Sequence, residues 1–156
     1  MSGTTECEKI SIGDFRSLIG QSIGVSPWFE MTQDRVTAFG GVTLDFDPHH
    51  IDPRQAETGP FGVAVAQGFL TLSLLTHFIE TTPSKLDIAQ HINYGFNKIR
   101  FIQPAVVGHH LQANFTLSNV QDRGESAHLI TFTVEVSSRE AGHVVLAAEW
   151  LAMVLV

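Results

Sequence analysis

Two stretches in the second half of the chain alternate apolar and polar residues with a period of two. No other feature constrains the fold as tightly. In residues 110–118, Leu111, Ala113, Phe115 and Leu117 alternate with Gln112, Asn114, Thr116 and Ser118. In residues 130–137, Ile130, Phe132, Val134 and Val136 alternate with Thr131, Thr133, Glu135 and Ser137. Successive side chains of a strand point to opposite faces, so each stretch predicts a strand with one buried face. The turn Gln121-Asp122-Arg123-Gly124 separates them, and a second turn ends near Gly142. The segment 143–156 is apolar almost throughout, Glu149 excepted. Such a strand is central, or is covered on its outer face by another subunit. A shorter strand is expected over 97–102, stopped by Pro104, and another over 26–31, where Pro27 requires an edge or a strand start.

The first half holds the helices. Residues 66–80 carry Phe69, Leu70, Leu72, Leu74, Leu75, Phe78 and Ile79, which span more than one helix face. That distribution predicts a buried helix, and Pro83 follows its end. A second helix is expected to start with Thr32 as N-cap and run to Phe39, with Val36 and Phe39 inward and Gly40-Gly41 as its stop. Helices first and strands after, without βα alternation, predict an α+β fold with an antiparallel sheet. The 156 residues fit one domain over 1–156, with about the first ten residues, which are polar, as a loose segment.

Composition excludes several classes of function. With 44% hydrophobic and 16% charged residues, the chain is not of the disordered type, and so little charge points to surface covered by a partner subunit. A net charge of −7 argues against a nucleic-acid partner, which favours a basic excess. No run approaches the ~20 apolar residues of a membrane span, and the polar N-terminus has no signal-peptide core. The single cysteine, Cys7, cannot form an internal disulfide, so a reducing, cytoplasmic location is expected.

The chemistry concentrates in Asp45-Phe46-Asp47-Pro48-His49-His50-Ile51-Asp52-Pro53. Three carboxylates and two imidazoles lie on a segment that two prolines stiffen. An Asp and a His converging on one water can activate it, although Asp-Pro pairs also make ordinary capped turns. The second segment is Ala66-Gln67-Gly68-Phe69, at the start of the buried helix. The first N–H groups of a helix have no partner in it and carry partial positive charge. A glycine there lets a ligand carbonyl come close, as in a backbone oxyanion hole. The adjacent pairs His49-His50 and His109-His110 are poorly spaced for chelation, because neighbouring strand side chains point to opposite faces. No metal site is expected.

The run from Phe39 through Asp45, Asp47, Pro48 and His50, followed by Gln67-Gly68-Phe-Leu-Thr-Leu-Ser-Leu-Leu75, resembles the MaoC-like dehydratases. These are the R-specific enoyl-CoA hydratases, including the branch related to nodulation protein N. The stretch Ile92 to Phe101, then Pro104 and Gly108, is similar to the same branch. The resemblance extends from about Ser22 to the C-terminus. It implies a hot-dog fold, an antiparallel sheet wrapped around one long helix, assembled as a homodimer or a dimer of dimers. It implies reversible hydration of trans-2-enoyl-CoA thioesters with no cofactor beyond the coenzyme A of the substrate. The family's catalytic Asp and His fall on Asp45 and His50. Its oxyanion glycine falls on Gly68, with Asp47 and Gln67 at neighbouring substrate-binding positions. Three positions depart from the family pattern: Leu44 stands where Gly is frequent, Asp47 where Asn is frequent, and Gln67 where His is frequent. Lys98 and Arg100, two apart on a strand and so on one face, are the candidates for the coenzyme A phosphates; Arg35 and Arg54 are weaker ones. An acyl-CoA thioesterase on the same fold and a non-catalytic acyl-thioester-binding protein are the alternatives, since fold alone does not establish function.

Overall fold

A computed structural model describes residues 11–83, 91–125 and 127–155. Cys7 and the expected loose segment over residues 1–10 lie outside these. Six strands form one antiparallel sheet: β1 (Ser22–Val25), β2 (Phe29–Glu30), β3 (His91–Phe101), β4 (His110–Asp122), β5 (Ala127–Ser138) and β6 (His143–Leu155). Their order is β1-β4-β5-β6-β3, with β2 also paired to β4. The alternating residues land where their period requires. Leu111, Ala113, Phe115 and Leu117 on β4 are buried, as are Ile130, Phe132, Val134 and Val136 on β5. Direct pairing of Phe115 with Val134 and of Phe132 with Trp150 stacks them on one face. The Phe132 and Trp150 rings lie 5.9 Å apart.

β6 lies between β5 and β3, as its apolar character requires. Leu146, Ala148, Trp150, Ala152 and Val154 point into the core, while Ala147, Leu151 and Met153 remain half-exposed on the other face. β3 starts well before the strand expected over 97–102. Two irregularities, between Asn93 and Gly95 and between Phe96 and Lys98, interrupt its alternation, because a bulge moves later side chains to the other face. The strand expected over 26–31 is only the short β2 (Phe29–Glu30), and β1 (Ser22–Val25), which was not expected, precedes it; the two are separated at Pro27, which has no N–H to give to β4. The flanking N–H groups still reach β4 and its approach: Ser26 donates to the Ala113 carbonyl at 2.8 Å and Met31 to that of His109 at 2.9 Å. A 3-10 helix, Ile12–Leu18, which the sequence pattern did not disclose, closes one end of the core with Phe15.

The helical layer holds α1 (Gln33–Thr43), α2 (Pro48–Ile51), α3 (Pro53–Ala56), α4 (Gly68–Ser73) and α5 (Leu75–Thr81). The single helix expected over 66–80 is therefore α4 and α5, meeting at Leu74 (φ −70, ψ −10). The Ser73 hydroxyl donates back to the Phe69 carbonyl at 2.7 Å, a bond that bends helices. Leu70, Leu75 and Phe78 are buried against the sheet, whereas Phe69 is 68% exposed. Within one chain the helix thus buries a stripe rather than its whole circumference. Its start is fixed by the packing: a Cβ on Gly68 would stand 3.0 Å from the Phe101 ring at the end of β3. Among the described residues, no helix is long and apolar enough to cross a membrane.

One carboxylate ties the loops at the far end of the sheet. Glu140 accepts from the His110 backbone N–H at 2.8 Å and pairs with the His110 ring at 2.8 Å. These contacts, the backbone bond foremost, hold its carboxyl at about 2, below the ordinary 4.5. A depressed carboxylate contributes stability that is present above its unfolded value and is lost as pH falls through the folded one. Acid unfolding is therefore predicted to gain a contribution from Glu140 between pH 4.5 and about 2. Glu140→Gln is expected to flatten that part of the profile, as read by circular dichroism, and to leave the fold intact near neutrality.

Candidate active site

The loop containing Asp45 leaves α1 through a tight reversal. Thr32 caps α1 by accepting from the Arg35 N–H, as expected, but the helix does not stop at Gly40-Gly41. It continues to Thr43 because Gly40 is where the returning chain packs. A Cβ there would meet the Asp45 carbonyl oxygen at 2.7 Å and the Gln67 side chain at 3.3 Å. The Asp45 N–H donates to the Gly40 carbonyl at 3.0 Å. Leu44 makes the reversal in the left-handed region (φ 61, ψ 28), a conformation costly for any residue with a Cβ.

Two Asp-Pro steps follow, and each starts a short helical turn. Asp47 caps α2 by accepting from the His49 N–H at 2.9 Å, with Pro48 as the first helical residue. Asp52 caps α3 by accepting from the Arg54 and Gln55 N–H groups. Proline is suited to the first helical position because its missing N–H would have had no partner there. The stiff loop expected from sequence is thus two capped turns in tandem, and they aim His49 and His50 in different directions.

His50 is the pivot. Its Nδ1 lies 2.7 Å from the Val65 carbonyl oxygen. A carbonyl only accepts, so Nδ1 carries a proton, and in the neutral ring Nε2 then keeps its lone pair. That Nε2 lies 4.0 Å from Asp45 Oδ2, too far for a direct hydrogen bond and suited to a shared water. Val65 is held in place: its N–H returns to the His49 carbonyl at 3.1 Å, and it bridges to Val106. The Gln33 side chain adds a bond to the His50 carbonyl at 2.7 Å.

His50 and Gly68 border one pocket of about 270 Å³. Gly68 opens α4, and among the described residues no group accepts from its N–H. The remaining walls are mostly apolar, with Phe61, Val65, Phe101 and Val145 prominent and Thr71 at the base of the helix. Sequence reasoning did not find Phe101 or Val65. The nearest available signal was Phe101 itself, an apolar residue at the end of a strand facing a helix-start glycine.

The other candidates lie elsewhere. Asp47 does not border the pocket, and neither does Asp45, which approaches it only through His50; the Asp47 side chain pairs with the His49 ring. That hydrogen bond, followed by the His49 backbone bond, lowers its pKa. Gln67 is buried and spans to the Val36 carbonyl at 3.2 Å, tying the start of α4 to α1. Lys98 and Arg100 share one face of β3, as expected. Lys98 pairs across with Glu149 and Arg100 with Ala147, so they stand on the outer face, opposite Trp150 and the core. The depression they line also contains Glu135 and Glu149, which offset their charge. Among the described residues, no cluster of three or more metal-ligating side chains occurs.

Comparison with known proteins agrees with this architecture. The family model for the MaoC like domain matches residues 14–139. Nodulation protein N of Rhizobium meliloti is 36% identical over 147 residues, covering 93% of this chain and 91% of the relative. The 3-hydroxyacyl-thioester dehydratase Z of Mycobacterium tuberculosis is 37% identical over 128 residues, covering 81% and 85%. Among solved structures, the monoamine oxidase regulatory protein from Archaeoglobus fulgius superposes with a TM-score of 0.76 at 29% identity, covering 88% of this chain and 90% of the other. The (R)-hydratase from A. caviae superposes with a TM-score of 0.65 at 21% identity, covering 83% and 94%. The chain belongs to the MaoC-like family and has its hot-dog fold.

The strained reversal before Asp45 gives a direct stability test. A left-handed residue with a Cβ costs roughly 1–2 kcal/mol, and glycine returns roughly 0.5–1 kcal/mol of that in chain entropy. Leu44→Gly is therefore expected to raise the denaturation midpoint slightly, whereas Leu44→Ala, which keeps the Cβ, is expected not to.

Proposed function

We propose that this MaoC-like protein catalyses the reversible hydration of trans-2-enoyl-CoA thioesters to R-3-hydroxyacyl-CoA. The observation that carries the reading is the 4.0 Å separation of His50 Nε2 and the Asp45 carboxylate, which one water can bridge, beside a helix start whose first N–H has no acceptor among the described residues. A water held between the two groups attacks the β-carbon. Its proton goes to His50 Nε2 as the new C–O bond forms. Electron density moves through the α-carbon onto the thioester oxygen, where the Gly68 N–H stabilises the developing enolate. The enolate then takes a proton at the α-carbon from the His50–Asp45 pair, and both groups return to their starting states. The dehydratase named among the relatives supports the same reaction class.

The apolar walls at Phe61, Val65, Phe101 and Val145 suit the acyl end of the substrate. Placing the coenzyme A phosphates at Lys98 and Arg100 is less favoured, because Glu135 and Glu149 share that depression. The unit we propose is a homodimer. β3 is the strand at one of the sheet's two edges, and its Ile92, Tyr94 and Phe101 side chains are exposed among the described residues, an edge of the kind that pairs with another chain. A single cysteine fits a reducing, cytoplasmic setting.

The test is loss of the ultraviolet enoyl-thioester band with crotonyl-CoA and longer enoyl-CoAs, with chiral analysis of the product. Wild type is expected to consume the band and yield the R-3-hydroxy product. Asp45→Asn and His50→Ala are each expected to lower turnover by ~10²–10⁴, the usual effect of removing a general base, without unfolding the protein. Near-normal turnover by His50→Ala would overturn the assignment, and release of free thiol would decide for a thioesterase.

A further inference from the structure

Thr71 differs from four other hydroxyl residues of the helical layer, and from Thr37 and Thr76, whose hydroxyls accept from the Gln33 and Asn93 side chains. Thr43 donates to the Phe39 carbonyl at 2.7 Å, Ser73 to Phe69 at 2.7 Å, Thr81 to His77 at 2.9 Å and Thr82 to Phe78 at 2.7 Å. Each bonds to the carbonyl four residues back, the usual resort of a hydroxyl in a helix. The equivalent carbonyl for Thr71 is that of Gln67, and it is in place, since it accepts the Thr71 N–H at 3.2 Å. Yet the Thr71 hydroxyl makes no hydrogen bond among the described residues, although the residue is only 3% exposed. A buried hydroxyl without a partner costs roughly 1–3 kcal/mol, so its persistence calls for a partner that the free chain does not supply.

The position of Thr71 identifies that partner. Thr71 borders the same pocket as His50 and Gly68. It stands three residues after Gly68 on α4, and helical side chains lean toward the N-terminus over the preceding turn. Its side chain therefore overlies the turn that presents the Gly68 N–H. An oxygen accepting from Gly68 comes within reach of the Thr71 hydroxyl, while most of the surrounding wall is apolar and offers no competing acceptor.

We propose that the Thr71 hydroxyl is a second hydrogen-bond donor to the substrate's thioester oxygen, acting together with the Gly68 N–H. The inference rests on reading this pocket as the thioester site. Two donors on one helical turn make a pre-organised hole for the enolate oxygen, and each strengthens as charge develops there. The orphaned hydroxyl of the free protein is satisfied when substrate binds.

The test separates this assignment from the hydratase reading by using a ligand that cannot react. The infrared carbonyl stretch of bound butyryl-CoA, a saturated thioester, reports hydrogen bonds to its oxygen. Wild type is expected to lower that frequency, Thr71→Val to give back part of the shift, and Thr71→Ser to restore it. With an enoyl-CoA, Thr71→Val is expected to lower kcat by ~10²-fold, the effect of one lost oxyanion donor, with KM little changed. Thr71→Val is also expected to fold and to melt no lower than wild type, because the hydroxyl it removes has no protein partner; a marked loss of stability would reveal a structural role and overturn the proposal. A carbonyl stretch in Thr71→Val equal to that in wild type would overturn it, as would failure of wild type to bind butyryl-CoA. A Thr71-dependent stretch in a protein that hydrates no enoyl-CoA would uphold the donor and overturn the hydratase reading instead.

Discussion

One face of one antiparallel sheet has to be covered, and a single bent helix covers it. Burial of Leu70, Leu75 and Phe78 against the aromatic face of β4, β5 and β6 fixes where that helix lies. Packing is close at its start, where a Cβ on Gly68 would stand 3.0 Å from the Phe101 ring and the ring would have to shift. The N-terminus of α4, with its unpartnered N–H groups, is thus placed at the mouth of a pocket by forces unrelated to chemistry. The hydrophobic effect supplies the energy, and the site takes advantage of the resulting geometry.

The proposed catalytic pair is positioned by a second route, with His50 on the pocket wall and Asp45 4.0 Å from its Nε2. Asp45 is held by the reversal at the end of α1, which needs Gly40 for its close return and puts Leu44 in the left-handed region. His50 is held by the Val65 carbonyl. Val65 belongs to the segment that leads into α4, so the imidazole and the helix start are positioned by one short piece of chain. Gln67 fastens that piece to α1 through the Val36 carbonyl. Asp45, His50 and the Gly68 N–H, the groups of the proposed mechanism, are therefore linked through a few residues rather than through the whole fold.

Much of this was legible in the sequence because it rests on local rules. The alternation in β4 and β5 is a local consequence of strand geometry, and Thr32 as an N-cap is a local hydrogen bond. Asp45, His50 and Gly68 were candidates through the family resemblance. The features that were not legible depend on tertiary contacts. Gly40-Gly41 reads as a helix stop, but Gly40 lies within the helix because another segment packs on it. The early start of β3 is hidden by two irregularities that scramble its period. The partners of Asp47 and Gln67 are set by where His49 and Val36 lie, and the carboxylates beside Lys98 and Arg100 come from other strands. In each case a residue type was read correctly and its neighbour was not visible.

The central claim is that the Val65 carbonyl sets the imidazole so that the lone pair of His50 Nε2 faces Asp45. Nitrogen NMR of the His50 ring in labelled protein, with the ring neutral, measures this directly. The account predicts the tautomer protonated at Nδ1 in the folded protein and its loss on unfolding, where the Nε2-protonated form common in free histidine takes over. A folded protein whose His50 is protonated at Nε2 would have no lone pair to offer the shared water, and would contradict the account.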